Sequence, residues 1–437
     1  MKANAGTLGV LGLVAAGLVA ALVQCSGGEP TPPPAKPAPA PAVAEKAPDV
    51  AFALPTREGR TPRPITEKNA KLAGQLEEVR RTLLKVVQDH GRDPQNPWAV
   101  AHAMLALGPD IELTNGENAV DHLFTTYAEE VQVGGESLLR FPMSRGRIRI
   151  EPHSDLLLKA LTEGGVLPDR KVTVNGHEHT VGDLYRHSLW RTWVTGVATG
   201  FQNNSFNDAP WALQGLATWA PPELAWQAKG GRDMAMAEVT HQLVSVLDRE
   251  TQLMQRAKET GATLQKDTRR GLFRYTCGGQ HMIQGVAYSA ARGFTGEGDV
   301  AALCAQKDLL DWRIDVELAA VDPHIASNGR PVQIVLLVQR MKFLGHTLET
   351  VHKIGALGLC ELTDANVAAS TRVANELVAT VDALGKLGVF DDVAALRRDR
   401  TLDQIRGAEQ VYLDVIGDAA HAVRGIDMAT GKGTIRY

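Results

Sequence analysis

The apolar positions of the chain recur mostly at helical spacing. Between Ile65 and His90, charged residues separate the apolar positions Leu72, Leu76, Val79, Leu83, Val86 and Val87. Apolar residues three and four apart line one face of an α-helix, so this stretch predicts an amphipathic helix. The same periodicity predicts further helices at 119–131, 155–161, 181–194, 211–219, 233–260, 281–292, 298–321, 331–354, 363–384 and 401–424.

Strand signals are few and short. Residues 171–174 and 177–180 flank Asn175-Gly176, a dipeptide that favours the type I′ turn of a two-stranded hairpin. Residues 145–150 alternate between arginine and other side chains, which predicts one more short strand. We therefore expect an all-α protein with a minor β-hairpin.

The N-terminal residues differ in composition from the rest of the chain. After Lys2, residues 7–23 form a run of 17 uncharged residues. This run fits the apolar region of a secretory signal and is shorter than the roughly 20 residues that span a membrane. Leu22-Val23-Gln24-Cys25 then resembles the lipobox of bacterial lipoproteins. The resemblance implies that residues 1–24 are removed as a signal peptide and that Cys25 is acylated. Gln24 stands where the family prefers Gly, Ala or Ser, so an uncleaved signal-anchor is the alternative.

Both alternatives predict a protein exported from the cytoplasm and tethered at its N-terminus. The lipoprotein resemblance implies membrane lipid as a partner through Cys25. By the same resemblance, Ser26 favours sorting to the outer membrane of a Gram-negative bacterium, facing the periplasm. Eleven of the 22 prolines lie between Pro30 and Pro64, and such a segment favours extended polyproline II over a packed core. We expect a disordered tether at 25–65, a helical domain at 66–325, and helices packing on that domain at 326–437.

Composition argues against two classes of protein. The chain of 437 residues has 46 Lys and Arg against 50 Asp and Glu, a net charge of −4. That balance argues against a nucleic-acid partner held by phosphate contacts. Four cysteines are too few for a disulfide-built scaffold. Beyond Cys25 they are Cys277, Cys304 and Cys360, and an odd number in an oxidising compartment leaves at least one free thiol.

A weak repeat organises the middle of the chain. Four segments carry a ring-bearing residue in second position, usually after proline, and continue into an apolar helix; these residues are Trp98, His153, Trp211 and His281. The pattern, with Cys277-Gly278-Gly279-Gln280-His281 as one helix entry, resembles the α/α-toroid proteins over about 95–290. That architecture includes terpenoid cyclases, protein prenyltransferases, polysaccharide lyases and glycosidases. The resemblance implies inner helices that begin around one mouth, and the alternative is an irregular helical bundle with tryptophan in its core.

Convergent helix starts would gather one set of polar and aromatic side chains. Aromatic rings stack on sugar faces, and acids and bases act on glycosidic linkages, so the set suits a polysaccharide. The predicted catalytic residues are Glu151, Asp208, His153 and His281. The predicted binding residues are Trp98, His102, Asp155, Asn207, Trp211 and Gln280. Core packing of the tryptophans and helix capping by the carboxylates are the competing interpretations.

Metal ligands do not form a complete set in the sequence. Cys277 and His281 lie four residues apart without further Cys or His at zinc-site spacing. Glu238-His241 and Glu349-His352 have the spacing of di-iron bundles, but the order of the supporting glutamates does not fit. We therefore predict no metal and no cofactor. The leading functional hypothesis is an envelope lipoprotein that binds or cleaves polysaccharide. The alternatives are a non-catalytic scaffold that meets other envelope proteins and a metal-binding helical protein, and the sequence does not decide whether the protein is an enzyme.

Overall fold

The computed structural model describes residues 45–196, 198–201, 206–262 and 279–437. Within them helices dominate, which confirms the mostly α-helical class predicted from the periodicity. The helices are α1 (Ala70–His90), α2 (Pro97–Leu107), α3 (Ala119–Tyr127), α4 (Leu156–Glu163), α5 (Val181–Arg191), α6 (Ala209–Trp219), α7 (Met236–Thr260), α8 (Gln280–Ala291), α9 (Asp299–Ser327), α10 (Arg330–Ala356), α11 (Asp364–Lys386), α12 (Arg400–Asp403) and α13 (Ala408–Ala429).

The strands of the described residues form two-stranded antiparallel hairpins that do not join into a larger sheet. They are β1 (Glu129–Val133) with β2 (Glu136–Arg140), β3 (Ser144–Arg145) with β4 (Ile148–Arg149), β5 (Lys171–Val174) with β6 (His177–Thr180), β7 (Val194–Thr195) with β8 (Ala198–Thr199), and β9 (Ala225–Ala228) with β10 (Arg232–Ala235). The predicted hairpin β5–β6 is confirmed. Its turn residues Asn175 and Gly176 have φ of 51° and 84°, as a type I′ turn requires.

Two predicted helices are interrupted by local structure. The helix expected at 119–131 ends at Tyr127, where β1 begins two residues later. The helix expected at 401–424 is divided into α12 and α13. Gly407 lies between them with φ of 89°, a conformation that ends a right-handed helix and that glycine adopts without a steric penalty.

Six helices contact one another in sequence. Helix α2 packs on α4, α4 on α6, α6 on α8, α8 on α10, α10 on α13, and α13 packs back on α2. Every residue of α6 and α8 is buried, whereas α1 buries only the stripe that its periodicity predicted. Helices α1, α3, α5, α7, α9 and α11 each pack against members of this set.

Residues 45–65 lie on the helical body, although the sequence predicted a free tether as far as residue 65. Phe52 packs edge-on against Tyr185 with ring centroids 5.6 Å apart. The Arg57 and Tyr437 main chains exchange two hydrogen bonds of 3.1 and 3.0 Å. Further N–H groups of the segment, those of Ala53, Gly59, Arg60 and Ile65, also donate to carbonyl oxygens of the body. The predicted signal peptide, Cys25 and the predicted tether up to residue 44 lie outside the described residues.

A disulfide joins Cys304 in α9 to Cys360 after α10. It closes a loop between two helices that already pack together. The third cysteine beyond Cys25, Cys277, lies outside the described residues.

No helix in the described ranges is both long and apolar enough to span a bilayer.

Close packing of α10 on α13 depends on small residues. A Cβ added at Gly345 would lie 2.9 Å from Ala422 Cα, closer than side-chain carbons approach a backbone. We expect Gly345→Ala to lower the free energy of unfolding by about 1–3 kcal/mol, the usual effect of overpacking. A Cβ at Gly74 in α1 meets nothing within 4 Å, so Gly74→Ala should raise stability by about 0.5–1 kcal/mol. Urea denaturation followed by circular dichroism measures both, and equal effects would contradict the close approach of α10 and α13.

Candidate functional site

A cavity of about 60 Å³ lies where α2, α4, α6, α8, α10 and α13 meet. It has room for a few water molecules. We call it the histidine cavity. Its lining residues are Trp98, His102, Arg149, Pro152, His153, Leu156, Trp211, His281, Lys342, His346, Gln410, Asp414, Asp418 and His421.

Three histidines from three helices meet at this cavity. His281 begins α8, His346 lies in the middle of α10, and His421 lies in the second half of α13. Their ring centroids are 4.5 Å apart for His281 and His346, and 4.0 Å apart for His346 and His421. One ring nitrogen of each lies within 4.8 Å of those of the other two. Their exposed fractions are 8%, 1% and 4%, so the cluster is largely shielded from bulk water.

The hydrogen bonds of the cluster leave several ring nitrogens available. Nδ1 of His421 lies 2.8 Å from a Glu349 carboxylate oxygen, which leaves Nε2 of His421 for another partner. Nδ1 of His281 and Nδ1 of His346 are buried and have no hydrogen-bond partner among the described residues; Nδ1 of His346 lies 3.8 Å from a Glu349 carboxylate oxygen, beyond hydrogen-bond distance. Buried polar atoms in native proteins are rarely left without a partner. The unpaired nitrogens therefore point to a ligand.

These imidazoles are neutral at physiological pH. Burial lowers the pKa of His281 and His346 well below the ordinary value, and the neighbouring His421 adds to the shift. Burial also lowers the pKa of His421, although Glu349 acts in the opposite direction. A neutral imidazole keeps a lone pair, which is the form that binds a metal ion.

A network of buried charges lies next to the cluster. Glu349 contacts Lys353 at 2.7 Å and Arg424 at 2.9 Å. Glu163 contacts Lys353 at 2.6 Å and Lys159 at 3.1 Å. Burial alone would raise the pKa of Glu349, but Lys353, His421 and Arg424 together hold it well below its usual value. An ionised Glu349 accepts a hydrogen bond from His421 Nδ1 and so determines which nitrogen of that ring faces the cluster.

A second histidine–carboxylate pair lies in the wall of the same cavity. His153 stacks on Trp211 with ring centroids 4.3 Å apart and planes inclined by 7°. Nδ1 of His153 lies 2.9 Å from Asp208, which also accepts a hydrogen bond from Ser154. The side chain of His153 is 22% exposed, so its other nitrogen is accessible. Lys342 approaches Asp418 at 3.5 Å on the opposite wall.

Five of the predicted site residues line the histidine cavity: Trp98, His102, His153, Trp211 and His281. Asp208 does not line the cavity but forms a hydrogen bond with His153 Nδ1. Asn207 precedes Asp208 in a short 3-10 turn. Gln280 instead donates to Thr347 Oγ1 at 2.7 Å within the core.

Glu151 and Asp155 face a different cavity. Glu151 accepts a hydrogen bond of 2.9 Å from the Leu157 N–H at the start of α4. This is the helix-capping role that the sequence analysis gave as the alternative to a catalytic role. Cys277 lies outside the described residues.

Sequence reasoning missed the contributions of α10 and α13. His346, Glu349, Asp414, Asp418 and His421 were not among the predicted site residues. A signal was present, because His346 and Glu349 are three apart, and Asp414, Asp418 and His421 follow at spacings of four and three along one face of α13. Glu349 and His352, whose spacing the sequence analysis noted and did not assign to a metal site, form no ion pair or hydrogen bond with each other among the described contacts. Glu349 contacts His421, while both ring nitrogens of His352 are buried without a partner in the described structure.

No protein-family model matches the chain, and neither a curated protein nor a solved structure matches it. No relative therefore indicates what the histidine cavity does, and its chemistry is inferred from its geometry alone. Neutral, convergent and largely shielded imidazoles next to an ionised carboxylate are the donor set of a transition-metal site.

The buried histidines make stability depend on pH. In the unfolded chain each histidine gains a proton below about pH 6.5, whereas burial keeps His346 neutral in the folded protein. The unfolded state then binds more protons, so the free energy of unfolding of the metal-free protein should fall as the pH drops below that value. Between pH 7.5 and 5.5 His346→Gln should remove about 1.4 kcal/mol of this loss in total, because the unfolded histidine gains most of one proton over that range. Urea denaturation between pH 7.5 and 5.5 measures the slope, and an unchanged slope would show that His346 titrates normally.

Proposed function

We propose that His281, His346 and His421 hold a divalent transition-metal ion of the zinc class. One observation carries the proposal: three imidazoles from three helices place nitrogens within 4.8 Å of one another, and two Nδ1 atoms in the cluster have no hydrogen-bond partner among the described residues. In a tetrahedral zinc site with bonds of about 2.0–2.1 Å, ligand nitrogens are about 3.3 Å apart. The present nitrogen separations of up to 4.8 Å would shorten to that spacing when the ion binds.

The surroundings of the cluster favour this proposal over a structural role. Metal-binding histidines usually donate their second nitrogen to a carboxylate or a carbonyl. His421 has Glu349 in that position, and nearby His102 has the Trp98 carbonyl at 2.8 Å. Three protein ligands leave the fourth coordination position for water or substrate, as in catalytic zinc sites. Here that position would face the histidine cavity.

The reaction class that follows is metal-assisted hydrolysis. A divalent ion held by His281, His346 and His421 would lower the pKa of a bound water to near neutrality and would polarise a carbonyl or phosphoryl oxygen of the substrate. His153 lies in the wall of the same cavity and is oriented by Asp208. In this proposal His153 accepts the proton of the attacking water, and Asp208 stabilises the resulting imidazolium.

The α/α toroid is the architecture that supports a shared cavity. Six helices pack in a cycle that closes from α13 to α2, and they alternate along the chain with helices that pack against them. Three contacts between α10 and α13 follow the same order along both helices. They are Lys342 with Asp418, His346 with His421, and Glu349 with Arg424. These two helices are therefore parallel, as neighbouring inner helices of a toroid are.

An envelope polysaccharide remains the proposed substrate class. Trp98 and Trp211 line the cavity beside the histidines. Since the cavity of about 60 Å³ has room for a few waters only, in this proposal only the reacting group of the polymer enters it. The scaffold alternative requires exposed apolar surface on the C-terminal helices. In the fully described range 326–437 no large hydrophobic side chain is exposed; the exposed ones are Leu54, Ile148, Leu167, Leu253 and Val300.

We also propose that the protein is exported and tethered to a membrane through Cys25. The Cys304–Cys360 disulfide supports export, because disulfides persist mainly in oxidising compartments. An outer-membrane anchor facing the periplasm would hold the helical body near the cell-envelope polymers.

Metal analysis tests the proposed centre. Purified protein should contain about one equivalent of zinc-class metal, with tetrahedral visible absorption after replacement by Co²⁺. His346→Gln should weaken zinc affinity by more than about 100-fold, beyond the effect expected for an outer-shell partner. His352→Gln is the matched control, because His352 is also buried in α10 but lies outside the cluster. Equal zinc affinity in wild type and His346→Gln, measured with a competing chelator, would exclude the site.

Fatty-acid labelling tests the anchor. Replacement of Cys25 by Ala removes the only thiol that the lipobox presents for acylation, so incorporation of a palmitate probe should be lost. Ser26→Ala should retain the label. Persistent labelling of Cys25→Ala would refute lipid attachment at this residue.

A further inference from the structure

A second cavity of about 400 Å³ lies on the other side of the segment 151–156. Pro152, His153 and Leu156 face the histidine cavity, while Glu151 and Asp155 face this second one. Its volume lies within the range of small-molecule sites, about 300–1,000 Å³. Its lining residues are Val131, Arg140, Phe141, Pro142, Met143, Glu151, Asp155, Leu184, His187, Trp190, Arg191, Trp193, Gly200 and Lys229.

Two tryptophans give this cavity flat apolar surfaces. Trp190 ends α5 next to Arg191, and Trp193 follows two residues later. The ammonium group of Lys229 lies 5.0 Å from the ring centre of Trp190, and the guanidinium of Arg232 lies 4.2 Å from that of Trp193. The two rings are thus held beside positive charges, and an anionic ligand that also has an apolar face would complement both features.

The charges of the lining residues do not cancel. Asp155 forms an ion pair with Arg191, and Arg140 pairs with Glu129 at 3.1 Å. Within the described residues, Lys229 has no carboxylate at ion-pair distance. Burial, together with the nearby Asp155 charge, raises the pKa of Glu151 well above its usual value. Glu151 is 5% exposed and already accepts a hydrogen bond from the Leu157 N–H. The ammonium group of Lys229 is therefore the charge in the lining that an anionic ligand would complement.

Donors beside the cavity also lack acceptors. Trp190 Nε1 and Arg191 Nε are buried and have no hydrogen-bond partner in the described parts of the chain. Trp190 is only 8% exposed. A buried donor without an acceptor destabilises the protein, and oxygen atoms of a ligand would remove that penalty.

We propose that this cavity binds an acidic saccharide, a pyranose ring that carries a carboxylate. The ring packs on Trp193 or Trp190, the carboxylate pairs with Lys229, and the hydroxyl groups bond to Glu151 and to the buried donors. A small inorganic anion would leave the tryptophan surfaces unused, and a neutral sugar would leave Lys229 without a counter-charge. The site is separate from the three histidines, so this proposal does not depend on the metal.

Titration calorimetry with defined oligosaccharides tests the site. Full-length protein in detergent is titrated with a galacturonic acid trimer, with the uncharged galactose trimer, and with inorganic phosphate. The acidic trimer should bind, quench tryptophan fluorescence and exceed the affinity of the neutral trimer. Lys229→Met should weaken binding of the acidic trimer by roughly three- to tenfold and leave the neutral trimer unchanged. Lys85→Met, which removes an exposed lysine on α1, is the matched control.

Three results would overturn the proposal: no binding of the acidic trimer, equal affinity for both trimers, or phosphate binding as tight as that of the acidic trimer. Metal content measured on the same samples separates this test from that of the histidine centre. Lys229→Met should retain the metal of the wild type. His346→Gln should retain binding of the acidic trimer.

Discussion

The buried carboxylate of Glu349 is the constraint on which the centre of the protein depends. Its side chain is fully shielded from solvent, and an isolated ionised carboxylate in that position would be strongly unfavourable. Lys353, Arg424 and His421 compensate the charge through direct contacts. Removing one partner of a buried ion pair costs about 3–5 kcal/mol in other proteins. The contacts of Glu349 with Arg424 and His421 therefore fix the axial register of α10 against α13, and this register places His346 beside His421.

Burial explains why the histidines remain neutral. Burial is the main cause of the lowered pKa of His281 and His421, and Lys159 adds to it at both rings, whereas Glu349 acts in the opposite direction. The cavity thus combines an ionised carboxylate with imidazoles that keep their lone pairs. This combination suits a cation better than it suits an anion, and the neighbouring cavity around Trp190 and Lys229 has the opposite preference. The segment 151–156 forms a wall of both, so a ligand chain held in one cavity would lie close to the other.

The sequence alone determined the mostly helical class, the amphipathic α1 and the β5–β6 hairpin. These features depend on neighbours along the chain: helical spacing of apolar residues, and a turn dipeptide that tolerates positive φ. The sequence also marked His153, Trp211 and His281 as members of one cavity, because each stands near the start of a helix that follows a turn. Hairpin β9–β10 was missed although Gly230-Gly231 marked its turn, because residues 233–235 of β10 were assigned to the helix expected at 233–260.

Only the tertiary structure decided which polar residues act together. His346 and His421 lie deep inside long helices and are 75 residues apart in the chain (421 − 346), so no local pattern connects them. Their contact results from the close approach of α10 and α13 at Gly345 and from the ion pairs of Glu349. Glu151 was expected beside His153, but the chain turns between them and directs the two side chains into different cavities. Local periodicity specifies which face of a helix is buried, whereas the partner on that face is specified by packing and by the need to compensate buried charge.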